Sequence, residues 1–328
     1  MRMLSDPGHP LRLLAPRVLR RIWGRPQQAS RVALLMSALL LSACMGTTEP
    51  VSPLTSSGVR PLTPTVGAMT FEPAALPTPS PLPKTATTAP AATTSPVQGL
   101  ISAVGAVLPS DQQCAASIHY SSWEPRPDNT AANHHVPTAQ QLAAIDQFYP
   151  TYTQNPQANR YSARISGNFT GTTDEIIQWV ACKWGVNADL VRAQAAVESW
   201  WHQSTAAGKT TESRYCPPGT WNGSSCPSFY GLLQITYRYF SHEWPMMRDD
   251  TAFNADYVYG MMRMCYEGLA TQLQASTPSA GYPRYHAGDI WGCLGSWYSG
   301  QWYDSGAIHY IQEVQKTLQE KPWLGRWF

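Results

Sequence analysis

The chain has 328 residues, a formal net charge of +2 and only 13% charged residues, which gives no reason to expect nucleic acid as a partner or an electrostatically driven binding surface. Length alone would allow two domains, but the 28 Pro are densest before residue 100, while 12 of the 13 Trp lie at or beyond Trp123. The balance implies one aromatic-rich folded region behind a Pro-rich stretch, suited to a groove with flat apolar walls or to a Trp-heavy core.

Residues 1–43 read as an address rather than as fold. Arg12, Arg17, Arg20, Arg21, Arg25 and Arg31 precede an apolar run from Val32 to Leu41. That run is too short for a membrane-spanning helix, which needs about 20 residues, and has the length of a signal-peptide core. It ends in Leu41-Ser42-Ala43-Cys44, which resembles the lipobox of bacterial lipoproteins. The resemblance implies cleavage before Cys44, acylation of its thiol, and an extracytoplasmic protein anchored to a membrane by lipid. An ordinary signal peptide with a chance cysteine is the alternative. Arg20-Arg21 stand too far ahead of the apolar core for a twin-arginine signal, and the long basic leader allows a start codon further downstream.

Residues 44–110 are dominated by Pro, Thr, Ser and Ala, as in PTPSPLPKTATTAPAATTSP. Such a composition cannot bury a core and should stay extended. About 65 residues of flexible chain span roughly 45 Å end to end, so the stretch is read as a tether. The apolar piece Leu100 to Leu108 is read as carrying nothing specific, a short docking segment being the alternative.

The folded region is expected over 111–328. Its first part, to about residue 170, reads mostly as loops with one helix around Thr138–Phe148. Thr172 and Glu175 are spaced as a capping box, and Ile176, Ile177, Val180, Ala181 and Trp184 follow at helical spacing until Gly185. A second helix starts at Asn187 and runs to about Ser199. Further helices are expected at Gly231–Phe240, Asp256–Gln274 and Ile308–Leu318. No alternating strand pattern of any length occurs, so the class is mainly α.

With Cys44 set aside, Cys114, Cys182, Cys216, Cys226, Cys265 and Cys293 remain, an even number that points to disulfides in an exported protein. The close spacing and Pro-Pro-Gly turn between Cys216 and Cys226 predict a local bridge. Cys114, Cys182, Cys265 and Cys293 would form two more, with three pairings open. There is no CxxC pair, and His134-His135 has no neighbours at ligand spacing. Neither a metal nor another cofactor is expected.

The chemistry-bearing candidate is Glu198, in Ala195-Ala196-Val197-Glu198-Ser199-Trp200-Trp201. Cleaving a glycosidic bond needs a proton donor at the leaving oxygen, and a carboxyl serves when an apolar setting raises its pKa. Desolvation, an absence of nearby cations and the negative end of a helix dipole all act in that direction here. An exposed glutamate ending a helix is the plain alternative.

The stretch Trp184-Gly185-Val186-Asn187-Ala188-Asp189-Leu190, running on to Glu198-Ser199, resembles the opening motif of the SLT-type lytic transglycosylases. Tyr230-Gly231-Leu232-Leu233-Gln234-Ile235 is similar to that family's Gly-Leu-Met-Gln-Ile block, and Trp297-Tyr298-Ser299-Gly300 more loosely to its Ala-Tyr-Asn block. All three fall in family order within 172–320. The resemblance implies a lysozyme-like helical domain with loop insertions, cleaving between N-acetylmuramic acid and N-acetylglucosamine in peptidoglycan or a related polysaccharide. It further implies Glu198 as general acid and then base, Gln234 as a polar cleft contact and Tyr298 as an orienting hydroxyl. The substrate's own C6 hydroxyl would attack, giving a 1,6-anhydro sugar.

Tyr230 in the second block is taken as a further substrate contact. Of Trp200, Trp201, Trp221, Trp291, Trp297 and Trp302, two or three are expected to face sugar rings, Trp200 and Trp201 first because they adjoin Glu198. The long gap before Gln234 reads as an inserted loop closed by Cys216–Cys226 beside the cleft. Glu212, Glu243, Asp249 and Asp250 are candidate bases for a water, which would make the enzyme a lysozyme- or chitosanase-like hydrolase. A non-catalytic glycan-binding lipoprotein is the other alternative. The chain is expected to act as a monomer.

Overall fold

The computed structural model describes residues 99–326 and 328. The expected signal sequence, Cys44 and the expected tether as far as residue 98 lie outside them. The helices in chain order are α1 (Asp111–Ala115), α2 (Thr130–Asn133), α3 (Ala139–Ala144), α4 (Phe148–Thr151), α5 (Asn159–Ser162), α6 (Thr173–Trp184), α7 (Ala188–Ser199), α8 (Met246–Asp249), α9 (Thr251–Tyr266), α10 (Ile290–Ser299) and α11 (Ser305–Glu320). Between α7 and α8 lie three two-residue strands, β1 (Ala206–Ala207), β2 (Phe229–Tyr230) and β3 (Ile235–Thr236), paired antiparallel in that order. The class is mainly α, as expected.

Helix α9 is the axis of the core. It is buried on every side, the signature of a helix surrounded by protein rather than laid on a surface. Helix α6 packs on it and on α7, α7 packs on α11, and α10 joins α9 to α11. The start of α6 is the expected capping box: the Thr172 side chain accepts from the Glu175 backbone N–H while Glu175 reaches back, and Gly185 ends the helix at φ 65°. Burying α9 brings Asp256 into the core, where it accepts from Lys183 Nζ at 2.8 Å, Trp184 Nε1 at 2.7 Å and the backbone N–H groups of Ser166 and Gly167. A buried carboxylate is tolerable when every lone pair is engaged in this way.

Four expectations need correction. The first part of the folded region holds five short helices, α1 to α5, instead of one around Thr138–Phe148. Gly231–Phe240 is not a helix: Gly231 at φ 85° and Gln234 at φ 53° break the helical path and turn the chain from β2 into β3. Helix α9 starts at Thr251 under an Asp250 N-cap and stops at Tyr266, leaving a 3-10 turn at Thr271–Ala275. The expected tether does not reach 110. Ser102 N–H donates to Gly185 at 2.7 Å and Asn187 N–H to Leu100 at 2.8 Å. Arg263 from α9 donates to the carbonyls of Ser102 and Ala103. The apolar piece Leu100 to Leu108 docks because its carbonyls satisfy a buried arginine.

Among the described residues there are three disulfides: Cys114–Cys182 joins α1 to α6, Cys265–Cys293 joins α9 to α10, and Cys216–Cys226 closes the loop before β2. The last is the local bridge predicted from spacing, and the structure selects one of the three open pairings for the rest. Such bonds persist in oxidising compartments, so the chain is extracytoplasmic. Among the described residues no helix is long and apolar enough to cross a membrane.

Candidate active site

Glu198 occupies the last turn of α7. Immediately after it, Ser199 Oγ donates to the carbonyl of Leu232 at 2.8 Å, joining the end of α7 to the β2–β3 turn. That turn is fixed from behind. Leu232 N–H donates to Gln203 Oε1 and Leu233 N–H to Asn254 Oδ1, both at 2.8 Å. Asn254 Nδ2 in turn reaches the carbonyls of Met247 and Tyr230. Gly231 sits so close to this network that a Cβ would fall 2.2 Å from Asn254 Nδ2 and 2.4 Å from the Met247 oxygen. The close approach, together with its positive φ, explains the glycine.

The turn delivers Gln234 to the cleft in a left-handed conformation, uncommon for a residue with a Cβ. Its Nε2 donates to the Gly231 carbonyl at 2.7 Å. Its Oε1 is buried and has no partner among the described residues. Glu198 and Gln234 line one cavity of about 480 Å³, together with Tyr298 and Trp297 of α10, Phe240 and Met261. The volume is in the range of small-molecule clefts.

The Glu198 carboxyl is held by Tyr310 of α11, whose hydroxyl donates to Oε1 at 2.5 Å. Desolvation raises the Glu198 pKa to about 7 from its ordinary 4.5, and the Tyr310 hydrogen bond restrains the rise. Burial and the adjoining carboxylate push the Tyr310 phenol well above its ordinary value, so it stays a donor. Tyr298 stacks on Tyr310, centroids 4.9 Å apart and planes within 7°. Burial thus holds the Glu198 carboxyl well above the usual carboxylate range, and an aromatic pair positions it.

Of the expected contacts, Gln234 and Tyr298 share the cavity with Glu198, and three others stand elsewhere. Tyr230 is buried, its hydroxyl donating to Pro227. Trp200 is exposed against Phe328. Trp201 is fully buried, its Nε1 donating to Arg192 and its ring set against Trp323. Positive φ at both Trp200 and Trp201 turns the chain away from the cleft directly after Glu198-Ser199. Of the six candidate tryptophans, Trp297 is the one lining the cavity.

None of the four candidate bases lies there. Glu212 and Asp249 pair with Arg214 and Arg248 at the surface. Asp250 caps α9, and Glu243 is buried accepting from Asp146 N–H. Glu198 is the one carboxyl among the lining residues. Among the described residues no group of three His, Cys, Asp or Glu is arranged to hold a metal ion. Tyr310 and Tyr259, the latter donating to Gln194 of α7, escaped sequence reasoning because no local motif marks them.

Compared with known proteins, the chain matches no family model, no curated protein and no solved structure.

Proposed function

We propose that the protein is a lysozyme-like enzyme that cleaves the β-1,4 bond between N-acetylmuramic acid and N-acetylglucosamine in peptidoglycan without using water, anchored to a membrane by lipid on Cys44. The observation that carries the reading is Glu198: a carboxyl with pKa raised to about 7, hydrogen-bonded by a phenol, opening on a cleft that holds no second carboxyl among the described residues. Two-carboxylate glycosidases need an acid and either a nucleophile or a base for water. A lone acid suits a reaction whose nucleophile belongs to the substrate.

In the first step neutral Glu198 protonates the leaving oxygen as the glycosidic bond breaks. In the second, the resulting carboxylate takes the proton of the muramoyl C6 hydroxyl as that oxygen bonds to the anomeric carbon. The acid is thereby restored and the product carries a 1,6-anhydro ring. Tyr310 stabilises the carboxylate between the steps, and Gln234 walls the cleft beside it. Purified peptidoglycan with mass analysis of the fragments tests this. Ends lighter by one water than reducing ends are expected; reducing ends alone would assign a hydrolase, and no fragments a non-catalytic binder.

A further inference from the structure

Among the described residues the cleft contains one cation. Arg238 follows β3 by two residues and is the one Lys, Arg or His among the residues lining the cavity that Glu198 opens on. Its guanidinium lies 4.4 Å from the centroid of the Tyr215 ring, and the exposed side chain has no carboxylate partner among the described residues. Arg214 offers a control on the same ring. It stands 4.7 Å from the Tyr215 centroid, but it is engaged by Glu212 at 2.7 Å. Two arginines thus share one aromatic platform, and only the one facing the cleft is left without an anion.

The platform is braced on both sides. Tyr215 directly precedes Cys216, which the bridge to Cys226 holds. On the Arg238 side, the neighbouring Tyr237 N–H donates to the Ser228 carbonyl at 3.2 Å. Stacking on a ring restricts the long arginine side chain before any ligand arrives. Its planar fork matches a carboxylate.

We propose that Arg238 is a specificity-determining residue that binds a carboxylate of the glycan, so that the enzyme selects anionic strands over neutral ones of the same backbone. The inference rests on the glycan-cleaving reading of Glu198 and names the substrate class for that cleft. In peptidoglycan the group has two sources: the lactyl carboxylate of a muramoyl residue whose peptide has been removed, and the carboxylates of an attached stem peptide.

The test compares kcat/KM of the wild-type chain with Arg238→Gln and Arg238→Lys. The substrates are peptide-free strands, peptide-bearing strands, and each after amidation of its carboxyls with carbodiimide and ammonia. Wild type is expected to prefer the carboxylated form of at least one strand type by about tenfold or more, the scale of a charge-assisted hydrogen bond. Arg238→Gln should bring that ratio to about one, with Arg238→Lys between, while all three unfold at the same temperature. Loss of preference on peptide-free strands assigns the lactyl group; loss confined to peptide-bearing strands assigns the stem. The same preference in wild type and Arg238→Gln would overturn the role of Arg238 while leaving the cleavage reading intact. A wild-type chain that cleaves none of the four substrates would overturn both.

Discussion

At the scale of single residues, the acid and the phenol that holds it give separable predictions. Glu198→Gln keeps the shape and removes the titrating proton, so cleavage should fall by about a hundredfold or more, measured by fragment release. The same substitution should stabilise the fold at pH 8. The folded pKa of about 7 lies above the ordinary 4.5, so the folded state binds the proton more tightly. The associated stability is complete below about pH 4.5 and is lost as pH rises through 7. At about 1.36 kcal/mol per unit the gain for Glu198→Gln at pH 8 is on the order of 3 kcal/mol, vanishing near pH 4. Denaturant titrations at the two pH values check it, and equal effects at both would refute the assigned shift. Tyr310→Phe removes a bond that favours the carboxylate, so Glu198 should titrate higher still. Because the acid must be protonated, the alkaline fall in activity should move to higher pH. Glu198 itself was legible in the sequence, since a helix end and a Glu-Ser pair are local. Tyr310 was not: it lies 112 residues away, and only the packing of α11 on α7 brings it there. Trp200 and Trp201 show the converse error, neighbours in sequence that a left-handed backbone directs elsewhere.

At the scale of elements, the β2–β3 turn and the segment before α1 carry the argument. Gly231→Ala would drive a methyl into Asn254 and the Met247 carbonyl, neither of which is a flexible chain end. A loss of roughly 1–3 kcal/mol is expected, as for overpacking elsewhere, together with displacement of Gln234 and reduced cleavage. Thermal unfolding and activity of the variant measure both. A chain starting at Ser110 would lose the carbonyls that engage Arg263 and the pairing at Gly185. It should melt lower than one starting at residue 98, and equal melting temperatures would show the segment to be dispensable. The helices α6, α7 and α11 were legible because caps and apolar spacing are written locally. The Gly231 turn was not, because its apolar Leu-Leu-x-Ile spacing imitates a helix while the deciding contacts come from Asn254 and Gln203.

At the scale of the whole molecule, the mainly helical class followed from apolar spacing without strand alternation, the Cys216–Cys226 bridge from close spacing around a Pro-Pro-Gly turn, and the extracytoplasmic setting from the leader and the even number of remaining cysteines. The other two pairings had to wait for the fold, since three arrangements of four cysteines are equivalent in sequence. Anchoring belongs to this scale too. Acyl chains contribute about 0.8 kcal/mol per buried methylene, so a multiply acylated Cys44 would hold membrane stably where one chain would not. Cys44→Ala should move the protein out of the membrane fraction, or leave it unprocessed, with the melting of the catalytic region unchanged. Fractionation with lipid labelling decides the matter, and wild-type protein without lipid on Cys44 would count against the anchor.

The bridge between Cys265 and Cys293 has a consequence for where activity can begin. Both sulfurs' residues line the cleft, and the bond ties the last turn of α9 to the first turn of α10, the helix that presents Trp297 and Tyr298. Newly made chain in a reducing interior carries two thiols there instead, and the wall that orients the phenol stack stands unbraced. Oxidation outside the cell interior completes it. On the proposed function, a chain built on this plan would be armed only once its cysteines are oxidised, so the move to an oxidising compartment would double as its safety catch.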